Sequence, residues 1–224
     1  NWKENTVYIS LMQLTLLGVN FFLITIISKE YGAEIYGEYA ASKSLSVLIG
    51  TATVLSLALV VTKLRAQNVD FKNSLFTNSY FLVIRNLFIA LAVIFPLTIL
   101  FGRDYSLTAI FLIGFVFNEM IHIALAYFQA DGNFVITSKQ IIIRTIFYGF
   151  GAWLIVSNGH PITWVVIYQS VILFIFFWVA HFYLPNNDKL TDPNVDKLTR
   201  KELNNSGKRM VLTTFSSALI SELD

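Results

Sequence analysis

The chain has 224 residues, 55% of them hydrophobic and 13% charged, with a mean hydropathy of +0.63 and a formal net charge of +2. A soluble domain carries about 25% charged residues, so roughly half the usual charge is missing and a water-soluble globular fold is excluded. The absence of cysteine removes disulfide frameworks and thiolate metal sites.

A helix needs about 20 mostly apolar residues to cross roughly 30 Å of hydrocarbon. Six stretches qualify, at 7–28, 41–62, 80–101, 106–130, 138–157 and 161–184, and a seventh runs from 208 to 224. They are too long for barrel strands, and lipid offers open backbone groups no partner, so helices are expected. The expected fold class is an all-α polytopic membrane protein. A six-helix transmembrane lobe over 1–184 is followed by a linker over 185–207 and a truncated seventh helix. Asn1 in place of Met, and an end at Asp224 inside an apolar run, lead to the expectation of a piece of a longer protein.

The connections alternate in charge. The segment 28–40 sets Lys29 against Glu30, Glu34 and Glu38, whereas 62–79 carries Lys63, Arg65 and Lys72 against Asp70. The turn at 102–105 holds Arg103 and Asp104, and 158–160 has no Lys or Arg. Lys139 follows the turn at 131–137, and the linker carries Lys189, Lys197, Arg200 and Lys201. Basic residues thus gather with Lys3 on one side, which the positive-inside rule makes cytoplasmic. A short amphipathic helix over 195–203 is expected to be a surface-lying connector.

Four ionisable groups fall inside these spans: Arg85, Glu119, His122 and Arg144. A charge at mid-membrane costs about 2.5–3.5 kcal/mol even on the lenient translocon scale. At about 1.5 Å of rise per residue, all four are expected in one slab on the cytoplasmic side of the midplane, with Glu119 within reach of Arg144. Glu119, His122, Ala126 and Gln129 follow a three-four spacing, as do Gln140, Arg144, Tyr148 and Gly151. Gln13 with Asn20, and Lys43, Ser46, Gly50 and Thr53, form further stripes. Two readings stand for Arg85 and Arg144: snorkelling into headgroups, or facing a wet interior. For Glu119 they are a structural salt bridge or exchange of a coupling ion, and for the neutral polar groups interhelical glue or ligand contact.

Soluble-enzyme constellations are missing. No phosphate-binding Gly-rich loop occurs, Gly149-Phe150-Gly151 reads as helix packing, and Glu119-x-x-His122 is an isolated, weak zinc-type match. No cofactor, metal or nucleic acid is expected.

The segment Glu30-Tyr31-Gly32-Ala33-Glu34-Ile35-Tyr36-Gly37-Glu38-Tyr39-Ala40 resembles the loop after the first helix of polysaccharide exporters. Phe128-Gln129-Ala130-Asp131-Gly132-Asn133-Phe134 is similar to their turn between helices four and five, and 219–224 to the start of their seventh helix, where an acid commonly falls. The resemblance is to the O-antigen and capsule flippases, within the superfamily that also holds multidrug extruders. It implies two six-helix lobes around a central cavity, of which this chain is the amino-terminal one, in the bacterial cytoplasmic membrane. It implies a polyprenyl-pyrophosphate-linked oligosaccharide as substrate, moved without bond chemistry, so no enzyme. Arg144, with Arg85 second, would hold the pyrophosphate beside Gln140 and Tyr148. Glu119, His122 and Asp224, with Glu222 beside it, would serve ion coupling. The alternatives are a multidrug extruder, whose cationic cargo favours acids, and a membrane-embedded polymerase or acyltransferase, which the short outer connections disfavour.

Overall fold

The computed structural model describes residues 2–54, 56–66, 72–101, 105–184, 201 and 203–208. Its elements are α1 (Trp2–Val54), α2 (Leu57–Ala66), α3 (Lys72–Phe101), α4 (Ser106–Ala130), α5 (Phe134–Ser157) and α6 (Ile162–Phe182), and no strand occurs among the described residues. Among the described residues, five helical stretches are long and apolar enough to cross a membrane: Glu4–Thr51, Phe76–Ile94, Ser106–Ala130, Phe134–Ser157 and Ile162–Phe182. These five do not by themselves confirm six separate spans: the first expected span and most of the second lie within α1, one on each side of Gly32.

The physical reason lies in 28–40. Its lysine and glutamates are competent helix formers that solvate well without breaking a helix, so only Gly32 interrupts α1, at φ 84° and ψ 169°. That conformation is essentially open to glycine alone. Leu16 and Val47 line one cavity, yet an unbroken helix would set them about 46 Å apart. The two arms of α1 therefore fold back on each other at Gly32. A second interruption, which the sequence did not announce, follows Val54, where Ser56 has a φ of 52° before α2 begins.

Two turns fix the remaining helix ends. At the end of α4 the Gly132 N–H donates to the Gln129 carbonyl (3.0 Å) and the Asn133 N–H to that of Phe128 (2.9 Å). At the end of α5 the Gly159 N–H donates to Val156 (2.9 Å) and the His160 N–H to Ile155 (3.3 Å). Both are Schellman motifs, with the glycine in the left-handed region at φ 74° and 71°. A Cβ at either glycine would meet nothing within 4 Å, so the cost of a side chain there is purely conformational. Gly132→Ala and Gly159→Ala should each lower stability by about 1–2 kcal/mol, read as a drop in thermal midpoint. Unchanged midpoints would show that these turns do not hold the helix ends.

Hydrogen bonds between turns define the two ends of the bundle. Asn5 Nδ2 donates to the Gly132 carbonyl at one end (3.1 Å), and the Tyr31 hydroxyl donates to the His160 carbonyl at the Gly32 end. Between them α4 packs against all five other helices, burying Phe111, Leu112, Val116, Met120, Ile121 and Leu125 among others. Small residues allow the close approaches: a Cβ on Gly114 would lie 2.6 Å from Ser170 Oγ on α6, and one on Gly149 would lie 2.5 Å from Val19 Cγ1. Large apolar side chains such as Leu14, Phe21, Phe88, Phe147 and Trp164 point outward and stay exposed, as a lipid-facing surface requires.

Of the expected linker, 185–200 lies outside the described residues, and so does most of the connector helix expected at 195–203. Residues 203–208 are helical, and Leu203 is fully buried in the hydrophobic cluster that includes Leu57, Val61, Leu82 and Ile121. The seventh span, with Glu222 and Asp224, lies beyond the described residues apart from Lys208.

Candidate functional site

Two cavities open between the helices and share three lining side chains. The cavity toward the Gly32 end, about 200 Å³, is lined by Asn20, Lys43, Asn118, Arg144, Tyr148 and Gln169 among others. The cavity toward the amino-terminal end, about 410 Å³, is lined by Gln13, Asn118, His122, Gln129, Thr137 and Arg144 among others. Leu16, Asn118 and Arg144 line both, so they form the waist between them.

Arg144 stands at this waist because α5 begins at Phe134, earlier than the sequence suggests. Asn133 caps that start, its Oδ1 accepting from the Ile136 N–H at 3.5 Å. Ten residues of helix put Arg144 about 15 Å along α5, near the middle of its 24 residues. The expected position nearer the headgroups is corrected accordingly. Arg144 is only 6% exposed, so it does not snorkel.

Its Nη1 is buried and has no hydrogen-bond partner. Glu119 lies within Coulombic range of it, as do His122 and Tyr148. The Glu119 carboxylate is instead engaged by Asn118, whose Nδ2 donates to Oε1 at 3.2 Å. A buried cation without a hydrogen-bonded partner at one of its donor atoms costs several kcal/mol after all relaxation.

The other sequence-predicted residues divide. Tyr148, one turn beyond Arg144, lines the Gly32-side cavity, and His122 lines the amino-terminal-side one. Glu119 is half-buried beside the waist and lines neither. Gln140 turns toward α6, where its Nε2 donates to the Phe176 carbonyl at 3.5 Å.

Arg85 is exposed and away from both cavities. Its Nε and Nη2 donate to Asn86 Oδ1 at 3.2 and 3.0 Å, and Asn86 Nδ2 donates to the Thr53 carbonyl at 2.9 Å. Where α1 ends at Val54 that carbonyl lacks a helical donor. Arg85 thus steadies the side chain that satisfies the break before α2, and the structure does not bring it to Arg144.

Two residues of the site were not singled out from the sequence. Asn118 stands next to Glu119 and faces both cavities. Gln169 is the one carboxamide in α6, a largely apolar helix, and is 1% exposed. An amide alone in such a run is the signal that could have marked it. Among the described residues, no group of three or more His, Asp or Glu side chains is placed to hold a metal ion.

An all-helical chain with several long apolar helices, polar cavities inside and apolar side chains outside, is compatible with a multi-pass membrane protein. No protein-family model, curated protein or solved structure matches it. What it does is therefore read from the chemistry of the two cavities.

Proposed function

We propose that this chain is the amino-terminal lobe of a transporter that flips a polyprenyl-pyrophosphate-linked oligosaccharide across the bacterial cytoplasmic membrane, for assembly of a surface polysaccharide such as O-antigen or capsule. The observation that carries it is Arg144: a buried guanidinium with a free donor, facing two cavities at once. A guanidinium matches phosphate oxygens in a planar, bidentate fork. Amides and hydroxyls line the larger cavity (Gln13, Gln129, Thr137 and Ser138), which suits the hydroxyls of a sugar. No bond is made or broken, so the protein is a carrier and not an enzyme.

In this reading each arm of α1 crosses the bilayer, giving six crossings, and the end that holds Asn5 and Gly132 faces the cytoplasm. Lys63, Lys139, Lys201 and Lys208 lie toward that side in the sequence, in keeping with the positive-inside rule. Arg144, with Tyr148 a turn away, holds the pyrophosphate. Glu119 and His122 exchange the coupling ion, and a carboxy-terminal lobe completes the cavity. A multidrug extruder is the weaker reading, because Arg144 and Lys43 line the space that a cationic drug would occupy.

The test is complementation. The full-length gene is expected to restore surface polysaccharide in a strain lacking its own flippase. Failure to restore it with any lipid-linked repeat unit, while the protein reaches the membrane, overturns the proposal.

A further inference from the structure

Gln169 sits where a buried carboxamide has a net cost. Its Oε1 accepts from the Tyr39 hydroxyl at 3.2 Å, while its buried Nε2 has no partner. An unsatisfied buried donor costs about 1–3 kcal/mol, and leucine would fill the position without that cost. The amide is also held in one orientation. The Tyr39 ring packs edge-on against Phe111 with centroids 5.1 Å apart. With the oxygen engaged, the N–H₂ group is the end left without a partner, on a side chain that lines the same cavity as Arg144. Arg144 and Gln169, each with one buried donor atom that has no partner, therefore line the same space of about 200 Å³.

We propose that Gln169 is a second ligand-contacting residue of this cavity, a neutral donor positioned by Tyr39 to bind the same diphosphate head group as Arg144. This rests on the reading of Arg144 as the pyrophosphate site. A diphosphate has more acceptor oxygens than one guanidinium can satisfy. Its ester and bridging oxygens carry less charge than the terminal ones, and a neutral N–H suits them without adding a further buried cation.

The test titrates inorganic pyrophosphate into the full-length transporter in lipid nanodiscs by calorimetry, with thermal midpoints measured alongside. The wild type is expected to bind, and Arg144→Met to lose binding. The double variant Tyr39→Phe/Gln169→Leu removes both partners of the hydrogen bond together. It should melt at or above the wild-type midpoint yet bind about tenfold more weakly. Gln169→Glu should bind more weakly still, because a carboxylate repels the probe.

If both Gln169 variants bind as the wild type does while Arg144→Met does not, the Gln169 proposal is overturned and the Arg144 site stands. A double variant with a lowered midpoint and correspondingly lost binding makes Gln169 structural and overturns the proposal as well. Absence of binding by the wild type overturns both assignments.

Discussion

Replacing Arg144 by methionine is expected to abolish polysaccharide export while thermal stability holds or rises. The two effects separate because of where the side chain lies. Arg144 is 6% exposed and its Nη1 has no partner, so the folded lobe bears the desolvation of that group with little returned. Methionine keeps much of the volume and removes the charge. On the ligand side, losing one partner of a buried, hydrogen-bonded charge pair costs about 2–5 kcal/mol, or about 30-fold in affinity at the lower bound. Arg144→Lys should fall between the two, keeping the charge and losing the bidentate fork. Surface polysaccharide and thermal midpoint, measured on the same variants, decide it. Normal export by Arg144→Met would remove the pyrophosphate role. A lowered midpoint would instead make the arginine a structural member of the bundle.

Glu119→Gln should bind pyrophosphate more tightly and export more slowly, with no response to an imposed proton or sodium gradient. Gln keeps the side chain's shape and its ability to accept from Asn118 Nδ2, the contact seen at 3.2 Å. What it loses is a negative charge in Coulombic range of Arg144. Unit charges a few ångströms apart in protein interact by on the order of a few kcal/mol, so an anionic ligand at Arg144 would meet less repulsion and gain about tenfold in affinity. The same change removes the group proposed to exchange the coupling ion, and a tightly held cargo leaves slowly. Transport into vesicles, with and without each gradient, reads the outcome. Undiminished gradient dependence would take Glu119 out of coupling.

The helices that the sequence announced clearly are those bounded by strong punctuation. Ser106–Ala130 emerged with the expected ends because an Asp-Gly-Asn turn closes it. The span expected at 161–184 became Ile162–Phe182 for a similar reason, with Pro161 before it. The first two expected spans share α1 because 28–40 stays helical on both sides of Gly32, the one residue where the chain leaves the helix to turn back. The interruption at Ser56 was illegible, since neither Gly nor Pro marks it.

The site was half legible. Arg144, His122 and Tyr148 do line the cavities, and the polar stripes on α4 and α5 identified them by periodicity. Arg144 lies deeper than the sequence suggests because 131–137 reads as a turn, whereas α5 already begins at Phe134. Arg85 looked equivalent to Arg144 from its sequence depth alone. Which face of a helix meets a cavity depends on its packing, and α3 turns Arg85 outward. Asn118 and Gln169 escaped because a neutral amide in an apolar run is ordinarily interhelical glue, and sequence does not show which amides have a spare donor.

The waist at Arg144 bears on how an anion gets past the middle of a bilayer. A guanidinium that already touches the compartments above and below can keep hold of its counter-ion while the surrounding helices rock and exchange which side is open. In the proposed transporter the anion would cross the dry midplane without being stripped bare, its charge accompanied by a fixed cation where spontaneous flip-flop meets the full Born barrier.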